Sequence, residues 1–195
     1  MTNYRFVTLL AALLIGFSHA THSSEIHHNG DAWEQFRLGK AIAIMRHALA
    51  PGTGDPTNFD VNDCSTQRNL SDEGRAQARN IGKLFKSQGI DTAQVISSQW
   101  CRCQETARLL GLGAVSTHSA LNSFFQNRST ATAQTVELTA QFPNWIRAGA
   151  TPTVLVTHQV NISALTDSFA SSGEILLITE KDNEIVVLDS IPTLE

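Results

Sequence analysis

Nowhere in the 195-residue chain do lysine and arginine form a dense run. The 14 basic side chains are scattered and outnumbered by 18 acidic ones, for a formal net charge of −4. A nucleic-acid binder needs a basic footprint against the phosphates, so that class is excluded; a small anion needs only a local basic pocket. No apolar run reaches the about 20 residues that span a bilayer. Cysteine is scarce, at Cys64, Cys101 and Cys103, and a second pair at zinc-ligand spacing is missing, which argues against a structural zinc site. There is no internal repeat and no low-complexity tract. What is present, 42% hydrophobic and 16% charged residues, is the composition of a folded domain, and the length suits a single one.

The first twenty residues have the three-part layout of a secretory signal peptide. A short polar start carries Arg5, an apolar run covers residues 6–17, and small residues sit where signal peptidase reads in Ser18-His19-Ala20. Cleavage after Ala20 is expected, with a periplasmic or secreted product and no stable membrane span once the signal is removed. Residues 21–38 read as a polar leader that packs loosely or forms one short helix, with Trp33 and Phe36 as anchors; His22, His27 and His28 read as a solvated terminus rather than a metal site. The remaining domain is 39–195. In an oxidising compartment Cys64 is expected to pair with Cys101 or with Cys103, tying a long loop to a helix start.

Strand and helix signals alternate. Short apolar strands are expected at 40–45, 94–97, 114–116 and 153–157, and a final pair at 174–179 and 184–189 joined by Lys181-Asp182-Asn183. Helices are expected from the Ser71 cap to Gly89, over 101–110 up to Gly111, and at 130–142, 143–148 and 160–169. Between the first strand and the first of these helices lies a Pro/Gly/Asp-rich loop, residues 47–70, of a length that is usually functional. This pattern predicts an α/β three-layer sandwich with a mostly parallel central sheet and an antiparallel edge strand.

Two apolar strands end alike. Ala41 to Met45 is followed by Arg46-His47, and Thr153 to Thr157 by His158. In a parallel sheet those strand ends share one edge, where ligands bind, so His47 and His158 are expected to be neighbours. Arg46 precedes His47, Arg68 closes the long loop, and Arg102 falls in the first turn after the second strand, where the helix N-terminus near Cys101 also favours an anion. Histidines with forked, permanently charged guanidiniums suit a phosphate. A neutral imidazole can attack phosphorus to give a phosphohistidine that water hydrolyses, while the arginines and a protonated second histidine stabilise the equatorial oxygens.

At these residues the chain resembles the histidine phosphatase superfamily, in its phosphoglycerate-mutase-like branch. The family's Arg-His-Gly opening is matched by Arg46-His47-Ala48, its Leu-Ser/Thr-x-x-Gly-x-x-Gln-Ala segment by Leu70 to Ala78, its Ser-Ser/Pro-x-x-Arg-x-x-x-Thr-Ala segment by Ser97-Ser98 and Arg102 to Ala107, and its late strand-end histidine by His158. The resemblance implies a phosphoglycerate mutase-like fold, His47 as the phosphorylated nucleophile, and Arg46, Arg102 and His158 as the phosphate shell. Arg68 stands where small phosphohistidine phosphatases of the family carry an arginine. No metal and no cofactor are implied.

The departures concern the proton donor. Gln159 follows His158 where the family often has Gly or Asp, and Asn122 falls where many members carry a donor glutamate. Glu137, Asp55, Asp60 and Asp63 are the candidate donors; without one, the site suits a good leaving group such as the imidazole of a phosphohistidine. The signal peptide, the sequence after His47 and Trp100-Cys101-Arg102-Cys103 resemble the periplasmic branch with the lipopolysaccharide-core heptose(II)-phosphate phosphatases. The expected partner is a small phosphorylated substrate, a cell-envelope sugar phosphate first among them. A phosphohistidine or phosphoprotein phosphatase, and a non-catalytic exported phosphate- or glycan-binding module, are the alternatives.

Overall fold

The structure is a computed structural model and describes residues 29–193. The signal segment 1–20 and His22, His27 and His28 lie outside the described residues.

The apolar run after Gly39 forms β1 (Ile42–Arg46), and Thr153–Thr157 forms β4, buried along its whole length. β4 pairs in parallel with β1 on one side and with β2 (Gln94–Ser97) on the other; β2 pairs in parallel with β3 (Val115–Thr117). β5 (Ile175–Lys181) runs antiparallel to β1, and β6 (Glu184–Ile191) antiparallel to β5, giving the order β3-β2-β4-β1-β5-β6. The antiparallel member is thus β5, one strand in from the edge. Its hairpin turns at Asp182 and Asn183, both with positive φ, as a two-residue turn matched to strand twist requires.

Side chains of β1 alternate between two cores. Ala43 and Met45 face α1 (Asn29–Arg37), α2 (Asp72–Ser87) and α3 (Cys101–Leu110), among Trp33, Phe36, Phe85 and Leu110. Ile42 and Ile44 face α4 (Ala131–Thr139), α5 (Phe142–Trp145) and α6 (Gln159–Thr166), among Leu138, Phe142, Trp145 and Ile162. Strands covered on both faces read as continuous apolar runs, which is why these were visible in sequence. α1 lies within the segment read as a leader; Trp33 and Phe36 both meet Phe85, with ring centroids at 5.6 and 5.9 Å. The expected helix over 160–169 stops at Thr166, because Asp167 takes a left-handed conformation with φ 55°. Phe169 is therefore on a loop, not on a helical face.

Two features place the site. Register pairs Arg46 with Thr157, so His47 and His158 are the next residues on adjacent parallel strands, and the His47 amide donates to Thr157 O at 2.9 Å. Ser71 caps α2 through the Gly74 amide, and Gly74 must be glycine: a Cβ there would lie 2.0 Å from Leu49 O, two residues past His47. Gln77 of the same helix accepts the Leu49 amide at 2.9 Å. The start of α2 thereby seats the backbone that follows His47.

Candidate active site

The strand ends bring His47 and His158 edge to face, with centroids 5.5 Å apart. Arg46, Arg68 and Arg102 line the same cavity of about 200 Å³ with them, as does Asp55. The four side chains at 46, 47, 102 and 158 are therefore one group.

His47 is 2% exposed and lines the cavity. Its Nδ1 is 2.8 Å from Ala48 O, and Arg102 Nε–H donates to its Nε2 at 3.2 Å. Because a carbonyl can only accept, Nδ1 carries the proton and Nε2 carries the lone pair. Burial first, then the charge of Arg102, lowers the His47 pKa well below the usual 6.5. His158 is lowered likewise by burial, Arg102 and His47. These shifts favour the neutral imidazole at both positions, since a buried cation beside three guanidiniums is disfavoured. His158 shares a hydrogen bond with Ser98 Oγ at 2.9 Å through Nε2.

Arg46 donates to Ala170 O at 3.1 Å, and its buried Nε has no hydrogen-bond partner among the described residues. A buried donor without an acceptor is costly. Arg102, 2% exposed, is held by Asp55 across both terminal nitrogens, at 2.6 and 3.1 Å. Arg68 lines the cavity but spends donors on the loop itself, from Nε to Gly54 O at 2.9 Å and from Nη1 to Ala50 O. Burial, ahead of Arg102, lowers its pKa to about 10, so it stays charged. At the α3 N-terminus, Gln67 Oε1 accepts the Cys101 amide at 3.0 Å.

The family follows from this geometry together with the sequence, which matches the histidine phosphatase superfamily (branch 1) over residues 42–150, more than half the chain. This chain belongs to the histidine phosphatase superfamily. It is a phosphatase of the phosphoglycerate mutase-like fold. Similar solved structures include the protein histidine phosphatase SixA complexed with tungstate (14% identity, TM-score 0.56, 77% of this chain and 96% of that one). Another is a mycobacterial glucosyl-3-phosphoglycerate phosphatase with inorganic phosphate (16%, 0.51, 76% and 95%). A third is a mycobacterial hydrolase (18%, 0.54, 76% and 96%). No curated protein matches the sequence.

Within this histidine phosphatase the candidate donors separate. Asp55 alone lines the cavity. Asp63 caps the turn Cys64–Thr66, accepting from the Ser65 amide and hydroxyl; Asp60 accepts the Asn62 amide; Glu137 is exposed on α4 and does not line the cavity. Asp63, Asp60 and Glu137 are thus not placed as donors. For Asp55, burial pushes the carboxyl up, but Arg102's hydrogen bonds and charge, with help from Trp100 and the Arg68 amide, outweigh it and leave the pKa lowered.

Ser98, which shares a hydrogen bond with His158 Nε2, lies in the Ser97-Ser98 segment, where a serine by itself carries no signal of this role. Asn122 does not enter the cavity; it accepts from Ser98 and from the Gln99 amide. Ser123, Phe125, Gln126, Gln159 and Phe169 are also part of the cavity wall. They come from loops and a helix start far apart in sequence, and no local pattern marks them. The disulfide is Cys64–Cys101, so Cys103 is the free, buried thiol. Among the described residues no cluster of His, Cys, Asp and Glu is placed to hold a metal, and no helix is long and apolar enough to cross a membrane.

Proposed function

We propose that the protein is an exported phosphatase that hydrolyses small sugar-type phosphomonoesters through a phosphohistidine on His47. The observation that carries this is the lone pair of His47 Nε2, fixed by the Nδ1 bond to Ala48 O and faced by Arg102. The phosphoryl group passes in line to Nε2 as the ester P–O bond breaks, and the departing alkoxide takes its proton from solvent at the cavity mouth. Its oxygens are met by Arg46, Arg102 and Arg68, three guanidiniums against one lining carboxylate. His158, whose ring lies 5.5 Å from that of His47, gains proton affinity as the dianion arrives and stabilises the charge. Water then attacks phosphorus, the P–N bond breaks, and His47 is regenerated.

The rim supports an uncharged, ring-like leaving group. Phe125 and Phe169 are exposed by 44% and 68%, and Ser123, Gln126 and Gln159 stand with them. Aromatic faces with neutral polar groups suit the C–H face and hydroxyls of a sugar; a lipopolysaccharide-core heptose phosphate fits this class. Export is supported by the N-terminal pattern and by a disulfide that needs an oxidising compartment. Mass spectrometry of the secreted or periplasmic product should find Thr21 at its N-terminus.

A second reading, phosphohistidine phosphatase, is favoured by one observation: the sole lining carboxylate is committed to Arg102, and imidazole departs without help from a carboxylic acid. The fold serves both classes in its relatives, the protein histidine phosphatase and the glucosyl-3-phosphoglycerate phosphatase. Turnover of sugar phosphates should exceed that of a phosphohistidine peptide; the reverse ranking selects the second reading. His47→Ala should cut kcat/KM by about 10³-fold or more. A parent protein that binds phosphate without turning anything over would contradict both readings and leave a binding module.

A further inference from the structure

We infer that Asp55 is a positioning residue that aims the phosphate-binding edge of Arg102 at His47, and is not a proton donor. The inference rests on the reading of Arg102 as a phosphate ligand.

Asp55 lies in the 47–70 loop, 47 residues from Arg102 in sequence, with its side chain 5% exposed. Four N–H donors converge on its carboxylate. Oδ1 accepts from Arg102 Nη1 at 2.6 Å and from the Arg68 amide at 3.1 Å. Oδ2 accepts from Arg102 Nη2 at 3.1 Å and from the Trp100 indole at 3.0 Å. A carboxyl that protonated a leaving group would need to carry a hydrogen toward substrate, and each of these donors already points at one of its oxygens.

The consequence falls on Arg102. A guanidinium is planar, and its five N–H groups form rigid forks. Asp55 spans the fork made by Nη1 and Nη2, which fixes the plane. The adjacent edge, Nε with the second hydrogen of Nη2, is then the one turned to His47, whose Nε2 lies 3.2 Å from Arg102 Nε. A phosphoryl group at His47 Nε2 meets two parallel donors on that edge. Without the carboxylate, Arg102 is a buried cation between Arg46 and Arg68, and like-charge repulsion turns it out of this orientation.

The clamp is itself braced. Trp100 stacks on Phe59 of the same loop at 4.9 Å, Arg68 O accepts from Arg102 Nη1 at 3.2 Å, and Cys64–Cys101 fastens the loop to the residue before Arg102. The loop thus reads as the fixture that orients a single guanidinium.

The test is Asp55→Asn in the full chain, which keeps the shape and removes the charge. It is assayed on 4-nitrophenyl phosphate, whose leaving group needs no proton, and on the phosphate of an aliphatic alcohol. Affinity for inorganic phosphate is read by calorimetry, which needs no turnover. Positioning predicts an equal loss on both esters, about 10²-fold in kcat/KM, with weaker phosphate binding, an unshifted acid limb of the pH profile, and partial rescue by Asp55→Glu. Loss confined to the aliphatic ester with phosphate affinity unchanged would make Asp55 the donor and overturn the inference, as would parent-like activity on both. Should Asp55→Asn fail to fold, Trp100→Phe removes one donor from Oδ2 and keeps an aromatic ring; it should show the same uniform loss, smaller in size, and an unchanged phosphate affinity would again overturn the inference. A parent that neither turns over nor binds phosphate fails the reading of the site itself, whereas an active parent with a leaving-group-selective variant fails only the role of Asp55.

Discussion

His47 and His158 sit where charge is expelled. Their pKa values are pushed well below 6.5, by burial first and then by Arg102. In the unfolded chain each imidazole takes up a proton as pH falls through about 6.5; in the folded protein it does so only at lower pH. The unfolded state therefore binds more protons across that window. The stability contributed by these groups is complete above about 6.5 and is lost as pH falls toward their depressed folded values. Thermal melts taken downward from neutral pH should show the midpoint falling below about 6.5, and a His47→Gln, His158→Gln double variant should flatten that slope. A slope unchanged in the double variant would place the acid sensitivity elsewhere. At this scale the sequence disclosed which side chains meet at the cavity, His47 and His158 with the three arginines, because a histidine after a buried strand is a local signal. It did not disclose what Asp55 does. That role depends on a bond across 47 residues, and in sequence an aspartate in a loop is indistinguishable from Asp60 or Asp63.

The 47–70 segment was legible only as a loop of functional length. Folded, it is stitched to itself and to α3. Gln67 donates to Asp60 O and Val61 O while accepting the Cys101 amide, Arg68 reaches back to Ala50 and Gly54, and Cys64–Cys101 closes the stitch. The spacing of three cysteines left two pairings open; the choice was made by where α3 begins. Cross-linking across 37 residues stabilises by about 4 kcal/mol in the chain-entropy account. Cys64→Ser with Cys101→Ser, or reduction of the parent, should lower the urea midpoint accordingly and reduce kcat/KM by loosening Asp55 and Arg68. Cys103 does not confuse this test: burial above all pushes its thiol up to about 12, and such a thiol is unreactive. A reduced protein as stable and active as the oxidised one would contradict the role given to the stitch. The regular elements were more legible than the loop. Strands β1 and β4 announce themselves by unbroken apolar runs, and α2 by its serine cap and acidic first turn. The end of α6 was not legible, since Asp167 stops it from the left-handed region, where aspartate is tolerated but not required.

At the scale of the whole molecule, alternation of strands and helices was enough to give three layers, because parallel strands buried on both faces demand helices on both sides. What composition could not show is how early the described core begins. α1 closes one face of the sheet with Trp33 and Phe36, and Phe36 is fully buried. Phe36→Ala should therefore cost about 3–5 kcal/mol of stability in chemical denaturation; a cost below about 1 kcal/mol would mean that α1 is dispensable to the core. The acidic whole and the basic pocket are compatible for the same reason. The full sequence carries a net charge of −4, while three arginines and one carboxylate meet at a single sheet edge.

The most direct test is to quench the enzyme during turnover of a phosphate-labelled ester and locate the label by mass spectrometry. A single base-stable, acid-labile phosphate on His47, absent from His47→Ala, is the predicted result. Label on any other residue, or turnover that persists in His47→Ala, would contradict the account.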